Sequence, residues 1–309
     1  MRFQPRDGEI LWTIYENQGV MSLRQLKTLF WPDKSWRAIE RRILKLIQAE
    51  YLARPNRDQH RNHPIPEPIC WLGWRGVLYI AGLFGISVAP PKIVNENQLR
   101  VFQKALRGFG INWFREPRWS LLGHDLVVVD FKLAVEKEVS EIPQLAMEKW
   151  IYETEFRSDP DVISYEITSR DGIVKHLKKR VLPDAYFEIV DEEQRSKGER
   201  YRARFLLEID MSTHDNPSFG REKAVPGKAY IRSSAYRARF GCNSGRWLVI
   251  TKGQKTRLKN LMKQTQQNTG KYGKLFFFTS LISLEYGYPL TSPIWKQADK
   301  NEPMALFKI

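Results

Sequence analysis

Cysteine is scarce in this 309-residue sequence: Cys70 and Cys242 are the only two, and they form no CxxC pair. Two separate thiols exclude a disulfide framework and a cysteine-rich zinc fold, and they read as buried or incidental groups. Long apolar runs are missing as well. The longest, Leu275 to Leu284, is broken by Thr279, Ser280 and Ser283 and falls short of the roughly 20 residues a membrane helix needs. The first residues, Met1-Arg2-Phe3-Gln4-Pro5-Arg6-Asp7, lack the apolar core of a secretion signal, so a cytoplasmic protein with no membrane partner is expected. There is no internal repeat and no low-complexity tract.

Acid is the next shortage. Asp and Glu total 35 against 50 Lys and Arg, a formal net charge of +15. The imbalance is concentrated between Phe219 and Lys274, where Glu222 is the only acid among many cations, including Arg221, Lys223, Lys228, Arg232, Arg257 and Lys263. One-sided charge on that scale calls for a polyanionic partner, either nucleic acid or an anionic membrane surface. Hydrophobic residues at 42% and charged residues at 28% describe a globular chain long enough for two domains.

The amino-terminal stretch reads as three helices. Ile10, Leu11 and Ile14 keep helical spacing, and Ser22 opens a second helix with Leu23, Leu26, Leu29 and Phe30 on one side. A third follows Pro32, with Trp36, Ile39, Ile43, Leu46 and Ile47 as its apolar stripe and Lys34, Arg37, Arg41 and Lys45 on another face. Glu50 to Arg54 and Ile69 to Gly73 then read as two strands joined by a long basic tip carrying Arg54, Arg57, His60, Arg61 and His63. Three helices and a basic wing predict a winged helix-turn-helix, in which the third helix enters the major groove and the wing tracks phosphate. Lys34, Arg37, Arg41, Lys45, Arg54, Arg57 and Arg61 are the candidate DNA contacts. His60 and His63 have no partnering ligand nearby in sequence and read as solvated wing residues rather than a metal site. The double proline in Ser87 to Asn97 marks a linker, which sets a first domain at 1–89 and a second at 90–309.

In the second domain, two phrases carry acid at strand ends: Val181-Leu-Pro-Asp184-Ala-Tyr-Phe-Glu-Ile189 and Arg204-Phe-Leu-Leu-Glu208-Ile-Asp210. Side chains on a strand alternate faces, so Glu208 and Asp210 share one face roughly 6–7 Å apart, with Leu207 and Ile209 on the other. A hairpin through the polar Asp191–Arg200 segment would bring Asp184 beside them. Converging carboxylates repel unless a cation lies between them, and an all-oxygen set suits Mg²⁺ or Mn²⁺; solvated strand ends are the plainer alternative. Elsewhere Asp125 to Glu136 reads as helix and Trp150 to Arg157 as strand. Ala229 to Phe240 reads as helix, and a strand, helix, strand series runs from Arg246 to Thr279, predicting a parallel pair. The fold class is α/β with a mixed sheet.

Pro183-Asp184 and Glu208-Ile209-Asp210 with Ser212-Thr213 behind them resemble the replication-relaxation family. His124-Asp125-Leu126, Arg221-Glu222-Lys223, Tyr236 and Phe240-Gly241 extend the resemblance. It implies a core similar to the PD-(D/E)xK nuclease-like fold after the winged helix, and a role on plasmid or other mobile-element DNA. It implies Asp184, Glu208 and Asp210 as metal ligands and catalytic groups. The pattern calls for a lysine where Asp210 stands, and the resemblance nominates Lys223 from the following segment instead. Pro226-Gly227 would leave Lys223 outside a regular helix, with Lys228 as the fallback. Asp125 and Glu153 are weaker additions. Two functions follow: a Mg²⁺- or Mn²⁺-dependent endonuclease, or a non-catalytic transcriptional regulator whose second domain binds another copy as a homodimer or a mobile-element protein partner.

Overall fold

The computed structural model describes residues 2–92, 94–168, 174–212 and 216–308. It divides into two compact units, Met1–Asp130 and Phe131–Ile309. The segment after Pro90, through Asp130, therefore packs with the first unit.

The first unit contains α1 Pro5–Glu16, β1 Val20–Ser22, α2 Leu23–Phe30, α3 Trp36–Gln48, β2 Leu52–Ala53, α4 Arg57–Asn62, β3 Ile69–Leu72, α5 Trp74–Leu83 and α6 Glu96–Gly108. Local chemistry sets the helix starts. The Ser22 hydroxyl accepts from Gln25 N at 3.1 Å and the Gln25 side chain accepts from Ser22 N at 2.9 Å, a reciprocal cap on α2. Asp7 on α1 is fully buried because Arg42 of α3 donates to both of its oxygens, Nε to Oδ1 at 2.6 Å. Ile10, Leu11 and Ile14 of α1 share the interior with Leu26 of α2 and Ile39, Ile43 and Leu46 of α3. The three strands form an antiparallel sheet in the order β1-β3-β2. Gly76 is required where α5 passes the end of α3, since a Cβ there would collide with the Tyr51 carbonyl.

Three expectations for this unit change. The tip between β2 and β3 is not all loop: Asn56 accepts from Gln59 N at 2.8 Å and is bonded back by the Gln59 side chain, which nucleates α4. His63 is not a solvated wing residue; its ring stacks on Trp119 with centroids 4.7 Å apart. The expected linker is also shorter, because Asn95 accepts from Gln98 N at 2.9 Å and starts α6.

After α7 Leu122–Glu141, which contains the division between the units, come β4 Leu145–Tyr152, α8 Glu153–Ser158, β5 Asp161–Thr168, β6 Val174–Val181, β7 Ala185–Asp191, α9 Glu192–Ser196 and β8 Arg202–Asp210. One helical run follows, made of α10 Asn216–Phe219, a π-helical turn Gly220–Ala224 and α11 Val225–Ile231. Then come α12 Ser234–Phe240, β9 Arg246–Thr251, α13 Lys255–Thr269, β10 Phe276–Ser280, α14 Leu281–Glu285 and β11 Lys296–Gln297. The main sheet is mixed, in the order β11-β10-β9-β8-β7-β4. β8, β9 and β10 are parallel neighbours, with α13 as the crossover between the last two; the other pairs are antiparallel. β5 and β6 make a separate hairpin. Tyr186, Leu206, Tyr230, Tyr236, Trp247, Leu261, Phe276 and Phe278 belong to the core cluster between sheet and helices.

The strand expected over Trp150 to Arg157 sits earlier, and its second half is helix. Glu155 accepts from Tyr152 N at 3.4 Å, and Arg157 pairs with Glu153 one turn back at 2.6 Å, links that a helical turn permits and an extended chain does not. The strand expected from Val181 to Ile189 is two strands, interrupted at Leu182–Asp184 where Pro183 supplies no N–H to a ladder. The helix expected over Ala229 to Phe240 breaks at Ser233, whose hydroxyl accepts from Tyr236 N at 3.0 Å and caps α12. Among the described residues, no helix is long and apolar enough to cross a membrane.

Candidate functional site

The pairing of β7 with β8 places Ala185 opposite Leu207, so Asp184 sits beside the carboxyl end of β8. Asp184 N donates to the Leu207 carbonyl at 3.0 Å, and its Oδ2 accepts from Ile209 N at 2.6 Å. Its own carbonyl accepts from Glu153 N at 3.0 Å, which ties the start of α8 to the same corner. Asp184, Glu208, Asp210 and Glu153 are all buried. Asp184, Glu208 and Asp210 all lie at one end of the sheet, but their side chains do not converge on one point: Asp184, Glu208 and Glu153 surround Lys223, whereas Asp210 turns to Arg257.

Their partners differ. Lys223 Nζ meets Glu208 Oε1 at 2.7 Å. Burial would lower the Lys223 pKa, but the charges of Glu208 and Asp184, a hydrogen bond to Glu208 and the charge of Glu153 outweigh it and hold the ammonium well above its ordinary value. Lys223 is not outside the helix, as Pro226-Gly227 suggests. It lies in the π-helical turn that runs straight into α11, with Pro226 near the first position of α11, where its missing N–H costs little. Gly220 makes the turn possible: a Cβ there would stand 2.6 Å from Asn268 Nδ2 and 3.1 Å from the Gln264 carbonyl oxygen, both on α13.

Asp210 is held by another cation. Arg257, in the first turn of α13, donates from Nε to Oδ2 at 2.9 Å and from Nη2 to Oδ1 at 2.7 Å, and the Thr251 hydroxyl donates to Oδ2 at 2.7 Å. Burial raises the Asp210 pKa, but these bonds more than reverse it, and the carboxyl lies below its ordinary value. Lys179 of β6 donates to the Glu222 carbonyl, and burial followed by repulsion from Lys223 pushes its pKa down. Arg257 and Lys179 were not legible as site residues, because each reaches the cluster from an element distant in sequence. Among the described residues no three His, Cys, Asp or Glu side chains form a ready metal cage. Thr213 of the sequence motif lies outside the described residues.

In the first unit, Arg37, Arg41 and Lys45 share one exposed side of α3, opposite the buried Ile39, Ile43 and Leu46. They form no ion pair among the described residues. Lys34 is exposed in the turn before α3 rather than on it. Arg54, Arg57 and Arg61 are exposed around α4, and Arg61 pairs with Asp58 at 2.8 Å. Asp125 belongs to this unit, where Arg118 donates to both of its oxygens, at 2.6 and 3.0 Å.

A model of the replication-relaxation family matches residues 12–241, from α1 to the end of α12. No curated protein and no solved structure matches the chain.

Proposed function

The chain belongs to the replication-relaxation family, and from that premise we propose that it binds plasmid or other mobile-element DNA and cuts it at the Asp184–Glu208–Lys223 cluster. In this reading the first unit is a winged helix-turn-helix and the second a PD-(D/E)xK-like domain. The observation that carries it is the 2.7 Å approach of Lys223 to Glu208 beside Asp184. A helix-borne lysine thereby joins the two acids, although Asp210 stands where the motif has its lysine.

Mg²⁺ is commonly held by one or two carboxylates, with water and substrate phosphate completing its shell, and Asp184 with Glu208 fits that donor set. When bound, the metal would act as a Lewis acid on the phosphodiester and lower the pKa of a bound water. Lys223, with its side chain 41% exposed, would offset charge growing on the phosphoryl oxygens. Asp210 takes a supporting role: its bidentate grip orients Arg257. Arg37, Arg41 and Lys45 would read the duplex, and Arg54, Arg57 and Arg61 would hold phosphate.

A second reading, a non-catalytic DNA-binding regulator, draws on the same bonds: Glu208 and Asp210 each already have a protein cation, so their charge is balanced without metal. Incubating supercoiled plasmid with the protein and Mg²⁺ or Mn²⁺ separates the two. Cleavage requires that wild type nick or relax the plasmid and that Asp184→Ala, Glu208→Ala and EDTA each abolish this. Plasmid shifted on a gel but left intact under every metal condition would instead establish the regulator reading.

A further inference from the structure

We infer that Lys228, Arg232, Lys271 and Tyr272 form a phosphate-binding patch for the nucleic-acid backbone, distinct from the carboxylate cluster; the inference rests on the DNA-binding reading above. Two chain segments far apart in sequence build it. Lys228 lies on α11 and Arg232 is its carboxyl-terminal cap residue, while Lys271 and Tyr272 lie in the 3-10 turn Gly270–Leu275 that follows α13. Arg232 Cζ lies 4.6 Å from the Tyr272 ring centroid, Lys271 Nζ 5.5 Å and Lys228 Nζ 5.7 Å.

Three cations around one ring lie within about a Debye length of one another, where salt does little to screen their repulsion. None pairs with a carboxylate among the described residues. The ring face relieves part of the charge but carries no net negative charge of its own. Such a cluster is completed by an anion from outside. Arg232 and Lys271 are exposed and Lys228 is half-buried, so the group is open to solvent. The turn that presents it enters through Gly270, whose φ of +57° favours glycine.

Lys228 stands five residues beyond Lys223 on one helical run, about 140° further round it, so the patch presents a side of that run other than the one that faces Glu208 and would take its own stretch of nucleic-acid backbone. Tyr272 is a positioning residue: its face gathers the cations and limits the side-chain freedom lost on binding.

The test is fluorescence anisotropy with a short labelled duplex and the matching single strand across a salt series. Lys228→Gln/Arg232→Gln/Lys271→Gln is compared with wild type and with Lys149→Gln, an exposed charge on β4 at the other edge of the sheet. The triple variant should bind duplex about tenfold more weakly, with a log K against log salt slope shallower by about 2.7, since each lost phosphate contact removes about 0.9. Tyr272→Leu should weaken binding less, and Tyr272→Phe should restore it. If the triple variant fails to fold by circular dichroism, Arg232→Gln and Lys271→Gln, both at exposed positions, should each flatten the slope by about 0.9. Wild-type binding that these variants match in affinity and slope overturns the patch alone. Absence of wild-type binding to either DNA overturns the DNA-binding reading and the patch with it.

Discussion

Lys223 Nζ reaches Glu208 Oε1 at 2.7 Å from a π-helical turn, while Asp210, two residues along the same strand, turns to Arg257 instead. Two neighbouring acids are thus divided between two cations, one from each of two helical elements packed on the sheet. Removing Lys223 should leave Glu208 buried without its ammonium. We expect Lys223→Met to destabilise the protein by about 1–3 kcal/mol, below the cost of breaking a fully buried pair because the lysine is partly exposed. Adding Glu208→Gln should recover at least about 0.5 kcal/mol of that loss in a double-mutant cycle followed by urea unfolding. Strict additivity would mean that the pair contributes nothing.

Arg257 and Thr251 hold the Asp210 carboxyl below its ordinary value of 3.8. A carboxyl depressed on folding contributes stability that is complete above the unfolded value and is lost as pH falls through the folded one. Arg257→Gln should therefore lower stability at neutral pH and remove this part of the acid dependence below about pH 4. Urea midpoints measured from pH 7 down to pH 2 would show it. Parallel curves for variant and wild type would contradict it.

The π-helical turn depends on Gly220. Gly220→Ala places a Cβ 2.6 Å from Asn268 Nδ2, and the expected cost of this overpacking is about 1–3 kcal/mol. Asn268→Ala in the same chain should recover part of it, because the Gln264 carbonyl, 3.1 Å from that Cβ, stays in place. Thermal melts of the two single variants and the double variant decide this. No recovery would place the strain elsewhere.

The basic side of α3 and the basic tip should behave differently on DNA. Arg41→Ala is expected to relax sequence preference, with a loss of about 1–3 kcal/mol in discrimination at one base pair. Arg57→Ala should weaken all duplexes alike and flatten the salt dependence by about one unit. Selection from a randomised duplex pool, followed by salt titrations, distinguishes the two. Unchanged preference in Arg41→Ala would remove α3 from the groove.

Much of the fold was legible because its signals are local. Ser22 with Gln25 makes a cap within one turn of chain, and the apolar spacing of Ile39, Ile43 and Leu46 marks the inner side of α3 wherever that helix packs. Leu207 and Ile209 alternate with Glu208 and Asp210, which places the acids on one face of β8. Where local signals compete, reading by pattern fails. Tyr152 to Arg157 has strand-like composition, yet the links from Glu155 to Tyr152 N and from Arg157 to Glu153 favour a helical turn.

The sequence by itself determined the excess of cations, the caps and periodic faces of the helices, and the presence of Asp184, Glu208 and Asp210 at strand ends. Tertiary structure decided which cation meets which acid. Lys223 precedes Pro226 by only three residues, and nothing local places it in a helical turn; the absent side chain of Gly220 lets that turn lie against α13, and from there the lysine reaches Glu208. Arg257 finds Asp210 because β8 and β9 pair in parallel with Asp210 beside Thr251, which sets the start of α13 over the strand end. Ion pairs are short-ranged and depend on where side chains converge, so only the assembled sheet and helices could assign them.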